Sequence, residues 1–129
     1  FFAYKDKFCF VLALTSNPSA KDFEMLPITS HKPLYQVVAE SCAEWNKEYQ
    51  TIGLVVGATQ KELLSLRKAV PDLLFLVPGV GKQGGSYESV VENGKNLDDI
   101  VLVNISRALL YVSSEKDYTS KIRNALLNF

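Results

Sequence analysis

Four runs of apolar residues, each of strand length, recur along the chain. They occupy positions 8–14, 52–56, 73–77 and 100–105. Apolar residues fill successive positions in these runs rather than alternate ones, which is typical of parallel strands buried on both faces. We therefore predict four strands of one parallel sheet.

Helical periodicity separates these runs. Apolar residues recur at spacings of three and four over 34–49, which predicts one face of an α-helix and places Trp45 in the core. A shorter stripe, which Pro71 follows, predicts a second helix. Thr59 and Glu62 have the spacing of a capping box at its start.

Two more helices complete the pattern. One is predicted from Tyr87 to the vicinity of Gly94, and the other follows a capping pair formed by Ser114 and Asp117. The resulting order is β-α-β-α-β-α-β-α, which builds an α/β fold with a parallel sheet and right-handed crossovers. Such a sheet closes either as an open doubly wound sheet or as half of a (β/α)8 barrel.

Composition narrows the classes of partner. The chain has 129 residues, with 14 basic and 14 acidic side chains, so no net charge steers it towards nucleic acid or an anionic membrane. Its longest apolar run, 8–14, is too short to cross a bilayer. Cys9 and Cys42 form neither a disulfide framework nor a metal cluster, so we expect a cytoplasmic protein that binds no metal, nucleic acid or membrane.

The loop after the third strand is the first candidate site. Four of the seven glycines of the chain lie within residues 79–85. Glycine lets backbone N–H groups approach a phosphate closely, and the predicted helix that follows favours an anion at its start. Gln83 offers an amide in this loop. Because Gln83 rather than Ser or Thr follows Lys82, the loop is not a P-loop, and a flexible turn is the alternative interpretation.

The loop after the fourth strand contributes a cation. Arg107 follows that strand directly, and a guanidinium is a natural bidentate partner of phosphate. A surface ion pair with Asp99 is the alternative. In (β/α)8 barrels phosphate often binds between the loops after strands seven and eight, the places that these two loops occupy if the chain is the second half of a barrel.

Other polar residues are weaker signals. Thr15 and Ser16 end the first strand and suit a polar ring or a sugar, although a turn before Pro18 explains them equally well. His31 stands alone in a loop. No Asp or Glu is expected at the C-terminal end of a strand, so the sequence predicts a binding half-site without catalytic machinery.

Segments 12–18, 52–59, 76–85 and 104–108 together resemble the orotidine 5'-phosphate decarboxylase family, in its longer bacterial subgroup. The resemblance follows the C-terminal half of that family in order along the whole chain. It implies a (β/α)8 barrel that is usually a homodimer. It also implies conversion of orotidine 5'-monophosphate to uridine 5'-monophosphate and carbon dioxide without a cofactor.

The resemblance also assigns roles to residues. Gln83, Arg107 and the backbone of Ser106 match the groups that hold the 5'-phosphate, whereas Ser16 and Pro78 match contacts to the pyrimidine ring. Lys82 stands where a small residue is expected and either adds a cation or points to water. Neighbouring candidates are Thr15, Gly81 and Lys82.

The catalytic Asp-x-Lys-x-x-Asp pattern of the family is absent from the sequence. We therefore expect residues 1–129 to be the C-terminal half of a single barrel domain, to lack catalytic residues and to be inactive alone. Two alternatives stay open. One is another phosphate-binding barrel enzyme, such as a sugar-phosphate isomerase. The other is a flavodoxin-like binding module, an open sheet with helices on both faces.

Overall fold

The computed structural model describes residues 2–29, 32–57, 60–80 and 86–128. Six strands and five α-helices form within them, together with a short 3-10 helix at Pro18–Asp22. The strands are β1 (Cys9–Leu14), β2 (Pro27–Thr29), β3 (Lys32–Pro33), β4 (Ile52–Val56), β5 (Leu74–Pro78) and β6 (Leu102–Asn104). The helices are α1 (Leu34–Tyr49), α2 (Gln60–Ala69), α3 (Tyr87–Gly94), α4 (Arg107–Leu110) and α5 (Tyr118–Leu126).

The predicted parallel sheet is confirmed. Strands β1, β4, β5 and β6 pair in that order, and every pair is parallel. Helices connect the strands as expected for successive βα units. The antiparallel hairpin of β2 and β3, inserted before α1, was not predicted from the sequence.

One face of the sheet forms the core. Leu54 and Phe75 lie opposite each other on neighbouring strands and are completely buried. They share one apolar cluster with helix residues that include Cys42 and Leu66. Helices therefore cover this face, and burial of these large apolar side chains stabilises the packing of the helices on the sheet.

The opposite face carries an uncovered row of apolar side chains. Leu12, Val55, Leu76 and Leu102 lie in register across the four strands. Leu12 is 53% exposed and Leu102 is 42% exposed. We call these four residues the open row. The prediction that the strands are buried on both faces is therefore wrong for the two outer strands of this chain.

Strand β6 is shorter than predicted because the preceding residues form a turn around Asn96. The side-chain oxygen of Asn96 accepts a hydrogen bond from the Ile100 N–H at 3.0 Å, and the Asn96 N–H donates to the Ile100 carbonyl at 3.0 Å. Backbone groups committed to this turn cannot pair with β5, so the strand begins only at Leu102.

Helix α1 has the predicted extent. It follows Pro33 and ends at Tyr49. The next residue, Gln50, has a left-handed conformation (φ 55°) and donates its N–H to the Asn46 carbonyl. The core position predicted for Trp45 is wrong, since this side chain is 48% exposed. Its ring instead contacts Phe2, with centroids 5.8 Å apart.

The ends of the later helices follow the sequence only in part. Helix α3 begins as predicted, with the Ser86 hydroxyl accepting from the Ser89 N–H at 3.0 Å. Thr59 of the predicted capping box lies outside the described residues. At α5 the side chain of Asp117 makes no capping hydrogen bond, and the Ser113 hydroxyl, rather than that of Ser114, accepts from the Glu115 N–H at 3.1 Å.

Arg67 fastens the N-terminal end of the sheet. Its guanidinium donates to the carbonyls of Val70 (2.9 Å), Pro71 (3.0 Å), Leu73 (2.9 Å) and Gly94 (2.7 Å). One side chain therefore joins the turn between α2 and β5 to the end of α3. Burial lowers the pKa of Arg67 to about 10, an effect that the nearby Asp72 opposes.

Candidate functional site

The parallel topology brings the C-terminal ends of β1, β4, β5 and β6 to one edge of the sheet, where ligands bind in α/β folds. The loops that carry the candidate residues follow these ends. The topology of the sheet alone therefore places the expected ligand site at this edge.

A cavity of about 170 Å³ lies between the ends of β5 and β6. One water needs only ~10–15 Å³ of such space, so the cavity accommodates a group of several heavy atoms. Its lining consists of Pro78, Gly79, Val80, Asn104, Ser106, Arg107 and Ala108. Three residues singled out from the sequence, Pro78, Ser106 and Arg107, thus meet around one space.

The register of the two strands explains why these loops meet. Pro78 pairs with Asn104 as the last pair of the β5–β6 ladder, so the two strands end at the same level of the sheet. Gly79 then turns with a φ of 96°, a conformation that glycine adopts without strain. This turn places Gly79 and Val80 in the lining of the cavity.

Ser106 is fixed by its neighbour. Its hydroxyl donates to the side-chain oxygen of Asn104 at 2.7 Å, and its carbonyl accepts from the Leu110 N–H at 2.9 Å. Asn104 lies in segment 104–108 but was not predicted as a site residue. Its signal in the sequence is that it is the one polar residue of the apolar run 100–105. The serine hydroxyl is therefore engaged within the loop, which agrees with a role for the Ser106 backbone rather than its side chain.

Arg107 is the first residue of α4 and is exposed at the cavity. The alternative, an ion pair between Arg107 and Asp99, is not found among the residues that the structure describes. Asp99 instead accepts from the Lys95 ammonium at 2.9 Å. A guanidinium beside an open cavity can bind an anion in two-point fashion.

Three candidates, Gly81, Lys82 and Gln83, lie outside the described residues. The same holds for His31. The predicted approach of Gln83 and Arg107 to one phosphate therefore stays a prediction.

The end of β1 holds the two hydroxyl candidates. Thr15 and Ser16 are both half-buried. The backbone N–H of Thr15 donates to the Glu24 carboxylate at 2.7 Å, and its hydroxyl lies 3.0 and 3.1 Å from the two carboxylate oxygens. The Ala20 N–H donates to the Asn17 carbonyl at 3.0 Å, and this bond opens the 3-10 helix at Pro18–Asp22.

Glu24 corrects one expectation. The sequence places no acidic residue at the C-terminal end of a strand, yet the loop after β1 brings the Glu24 carboxylate to that position. Nothing in the local pattern signalled this contact, because it depends on the path of the intervening loop.

A larger groove, of about 570 Å³, lies at the other end of the sheet. One side of this groove is formed by the second half of α1 and the residue after it, including Lys47 and Gln50. The other side is formed by the residues that lead into β5, including Asp72. This is the N-terminal end of the strands, and active sites in such folds lie at the C-terminal end instead. We therefore assign the candidate site to the smaller cavity.

Two classes of site find no support in the part of the chain that the structure describes. Residues 2–29, 32–57, 60–80 and 86–128 contain no group of three His, Cys, Asp or Glu side chains placed to hold a metal ion. Within the same ranges, the helices are too short or too polar to traverse a bilayer.

Sequence comparison relates the chain to known enzymes. It is 45% identical over 130 aligned residues to an orotidine 5'-phosphate decarboxylase of Cupriavidus necator, covering 98% of this chain and 47% of the relative. It is 50% identical over 104 residues to a protein of that name in Halobacterium salinarum, covering 79% and 39%. The chain thus spans about half the length of the curated relatives it matches. No family model matches it.

Structural comparison gives the same relationship. An OMP decarboxylase of Leishmania donovani superposes with a TM-score of 0.78 at 35% identity, over 96% of this chain and 47% of that one. A UMP synthase of the same organism superposes with a TM-score of 0.79 at 35% identity, over 98% of this chain and 29% of that one. The βα units described above therefore form a partial barrel, which confirms the predicted fold and excludes the flavodoxin-like alternative.

Proposed function

We infer that the chain belongs to the orotidine 5'-phosphate decarboxylase family and forms the C-terminal half of its (β/α)8 barrel, as one part of a single domain. Nearly the whole length of this chain matches such enzymes in sequence and fold, and the match covers about half the length of each enzyme. On this premise we propose that the complete protein converts orotidine 5'-monophosphate to uridine 5'-monophosphate and carbon dioxide, without a cofactor.

The open row supports this assignment independently of identity. The interior of an eight-stranded barrel is filled by layers of inward-pointing side chains contributed by all strands. Leu12 and Leu102, at the two ends of the row, are exposed apolar side chains on strands that pair on one edge only within the described residues. The remaining four strands of a barrel would cover the row and pair with both edges.

We assign the 5'-phosphate to the cavity between β5 and β6. The single observation that carries this assignment is the meeting of Pro78, Ser106 and Arg107 around it. These strands would be the seventh and eighth of the barrel, the usual location of phosphate in this architecture. In this proposal Arg107 neutralises the dianion, and the Ser106 backbone and the Gln83 side-chain amide donate to it.

We assign the pyrimidine ring to Ser16 and Pro78. Thr15 is a poorer candidate, because Glu24 already engages both its N–H and its hydroxyl. Ser16 follows it at the same end of the sheet, and by resemblance it matches the hydroxyl that contacts the ring. Pro78 presents an apolar surface at the end of β5.

This division of the site has a chemical logic. Loss of carbon dioxide breaks a carbon–carbon bond and leaves its electron pair on a ring carbon, which then takes up a proton. Charged groups placed at that carbon stabilise the developing charge. The phosphate does not react, but its binding energy helps to organise the reacting part. This half provides the anchor, and the half not present here provides the catalytic charges. We further propose a homodimer located in the cytoplasm, the setting that the free Cys9 and Cys42 fit.

The test uses the complete enzyme that contains this chain. Calorimetric titration with uridine 5'-monophosphate and with ribose 5-phosphate separates recognition of the nucleotide from recognition of any sugar phosphate. We expect decarboxylation of orotidine 5'-monophosphate and much tighter binding of the nucleotide. Equal affinity for ribose 5-phosphate, without decarboxylation, would instead identify another phosphate-binding barrel enzyme.

A further inference from the structure

Glu24 reaches back to the strand that it follows. Its carboxylate accepts from the Thr15 N–H at 2.7 Å and lies 3.0 Å from the Thr15 hydroxyl, nine residues away along the chain. Hydrogen bonds to a carboxylate are stronger than those between neutral groups. Both donors of Thr15 are therefore held by one charged side chain.

The main chain of Glu24 is anchored separately. Its carbonyl accepts from the Tyr35 N–H at 2.9 Å, in the first turn of α1. The next residue, Met25, donates its N–H to the Ala20 carbonyl at 3.0 Å. The main chain of Glu24 is therefore hydrogen-bonded to α1, and its carboxylate is hydrogen-bonded to Thr15. Glu24 thus links the end of β1 to the start of α1.

Gly57 packs against the same segment. Its N–H donates to the Leu14 carbonyl at 2.8 Å, and a Cβ at this position would lie 2.6 Å from the Ser16 nitrogen. Main chain therefore packs directly on main chain here. The segment 15–16 therefore contacts both Gly57 and the Glu24 carboxylate.

We propose that Glu24 is a positioning residue that, through Thr15, sets the orientation of Ser16 towards the pyrimidine ring. The proposal rests on the function proposed above. Glu24 itself touches no substrate. Misplacing a binding group by ~1 Å can lower a rate ~100-fold, so a fixed Thr15 is worth a measurable part of the activity.

A double-mutant cycle in the complete enzyme tests the coupling. We expect Glu24→Ala to lower kcat/KM for orotidine 5'-monophosphate by ~10-fold or more, since the segment loses its fixed position. In a Ser16→Ala background the same substitution should change kcat/KM by less than ~2-fold, because two mutations acting through one group are not additive. Glu24→Gln keeps an acceptor for Thr15 and should recover part of the loss. Glu44→Ala, at an exposed position of α1, is the matched control.

Amide hydrogen exchange provides a readout that needs no activity. We expect Glu24→Ala to accelerate exchange of the Thr15 amide by ~10-fold or more, while the Gly57 amide, bonded to Leu14, keeps its rate.

The outcomes separate the two proposals. If the parent enzyme does not decarboxylate the nucleotide, the proposed function fails, and the role of Glu24 fails with it. An active parent in which Glu24 and Ser16 act additively, or in which exchange at Thr15 is unchanged, overturns the positioning role alone.

Discussion

The guanidinium carbon of Arg67 lies 3.6 Å from the centroid of the Phe75 ring. A cation over an aromatic face is attracted by the ring, and more strongly where water is excluded. The same guanidinium donates to four carbonyls, so a charged helix residue is enclosed by its own main chain. This contact connects the helix layer to the buried centre of β5.

Arg67→Ala should destabilise the protein by at least ~3 kcal/mol, because it leaves several carbonyls unpaired and removes a cation from the Phe75 ring. Arg67→Lys should recover only part of this loss, since an ammonium cannot span the same acceptors. Urea unfolding of the variants measures the effect. Arg123→Ala, at an exposed position of α5, is the control and should change stability by less than ~0.5 kcal/mol. An equally small effect of Arg67→Ala would contradict the assigned role.

Acid should weaken the contact between Lys32 and Glu40. The Lys32 ammonium donates to both carboxylate oxygens at 2.8 Å, and this hydrogen bond holds the pKa of Glu40 below its usual 4.5. A lowered folded-state pKa stabilises the protein above the unfolded value, and that contribution is lost as the pH falls through the folded value. Between about pH 5 and pH 3, Glu40→Gln should therefore lose less stability than the parent.

Arg67 provides the contrast. Burial lowers its pKa to about 10, so the folded state disfavours the charged form by a constant amount at any lower pH. Arg67→Ala should consequently leave the pH dependence of stability between about pH 6 and 8 unchanged. A changed slope in this range, measured by urea unfolding, would show that Arg67 is coupled to a group that titrates there.

Removal of the Arg107 guanidinium should weaken transition-state stabilisation in the complete enzyme. We expect Arg107→Ala to lower kcat/KM by ~100-fold or more, which is at the upper end of a charged hydrogen bond. Arg107→Lys retains the charge without the bidentate geometry and should fall between the two. Steady-state kinetics with orotidine 5'-monophosphate measures the effect, with Arg123→Ala as the control. Unchanged kcat/KM would reject the phosphate assignment.

The isolated chain should not decarboxylate orotidine 5'-monophosphate. It has the proposed anchor but no Asp-x-Lys-x-x-Asp pattern to stabilise charge at the ring carbon. Release of carbon dioxide from carboxyl-labelled substrate is the measurement, with the complete enzyme as the positive control. Turnover by the purified chain would mean that its own residues carry the catalytic groups.

Leu12→Lys should destabilise the isolated chain and the complete barrel to very different extents. In the isolated chain Leu12 is 53% exposed, so the substitution should cost less than ~0.5 kcal/mol and increase the monomeric fraction. In the complete barrel it buries a charge in the interior and should cost more than ~4 kcal/mol. Leu54→Lys, at a completely buried position, should be severe in both. Gel filtration and urea unfolding of both proteins measure the difference.

The sequence predicts well the elements whose pattern is strong over many residues. Strand β4 has the predicted bounds, and α1 follows its stripe from Leu34 to Tyr49. Helix α4 has only four residues, which is too few for a helical period to show. The hairpin of β2 and β3 is equally short, so no alternation could indicate it.

The site divides in the same way. Arg107 could be predicted because one strand and one residue type place it at the edge where ligands bind. Glu24 could not, because its contact with Thr15 depends on the fold of the whole loop between them. Likewise Trp45 follows the apolar stripe of α1, but which part of that stripe is covered depends on packing that a period does not encode.

The approach of Gly57 to residues 15 and 16 bears on how this rim can diversify. Because main chain packs on main chain, the closest contact between the loops after β1 and β4 does not involve the side chains at positions 15 and 16. Related sequences can therefore carry other side chains at these two positions while the two loops keep this contact. Position 57 itself has no such freedom, and we expect it to change last.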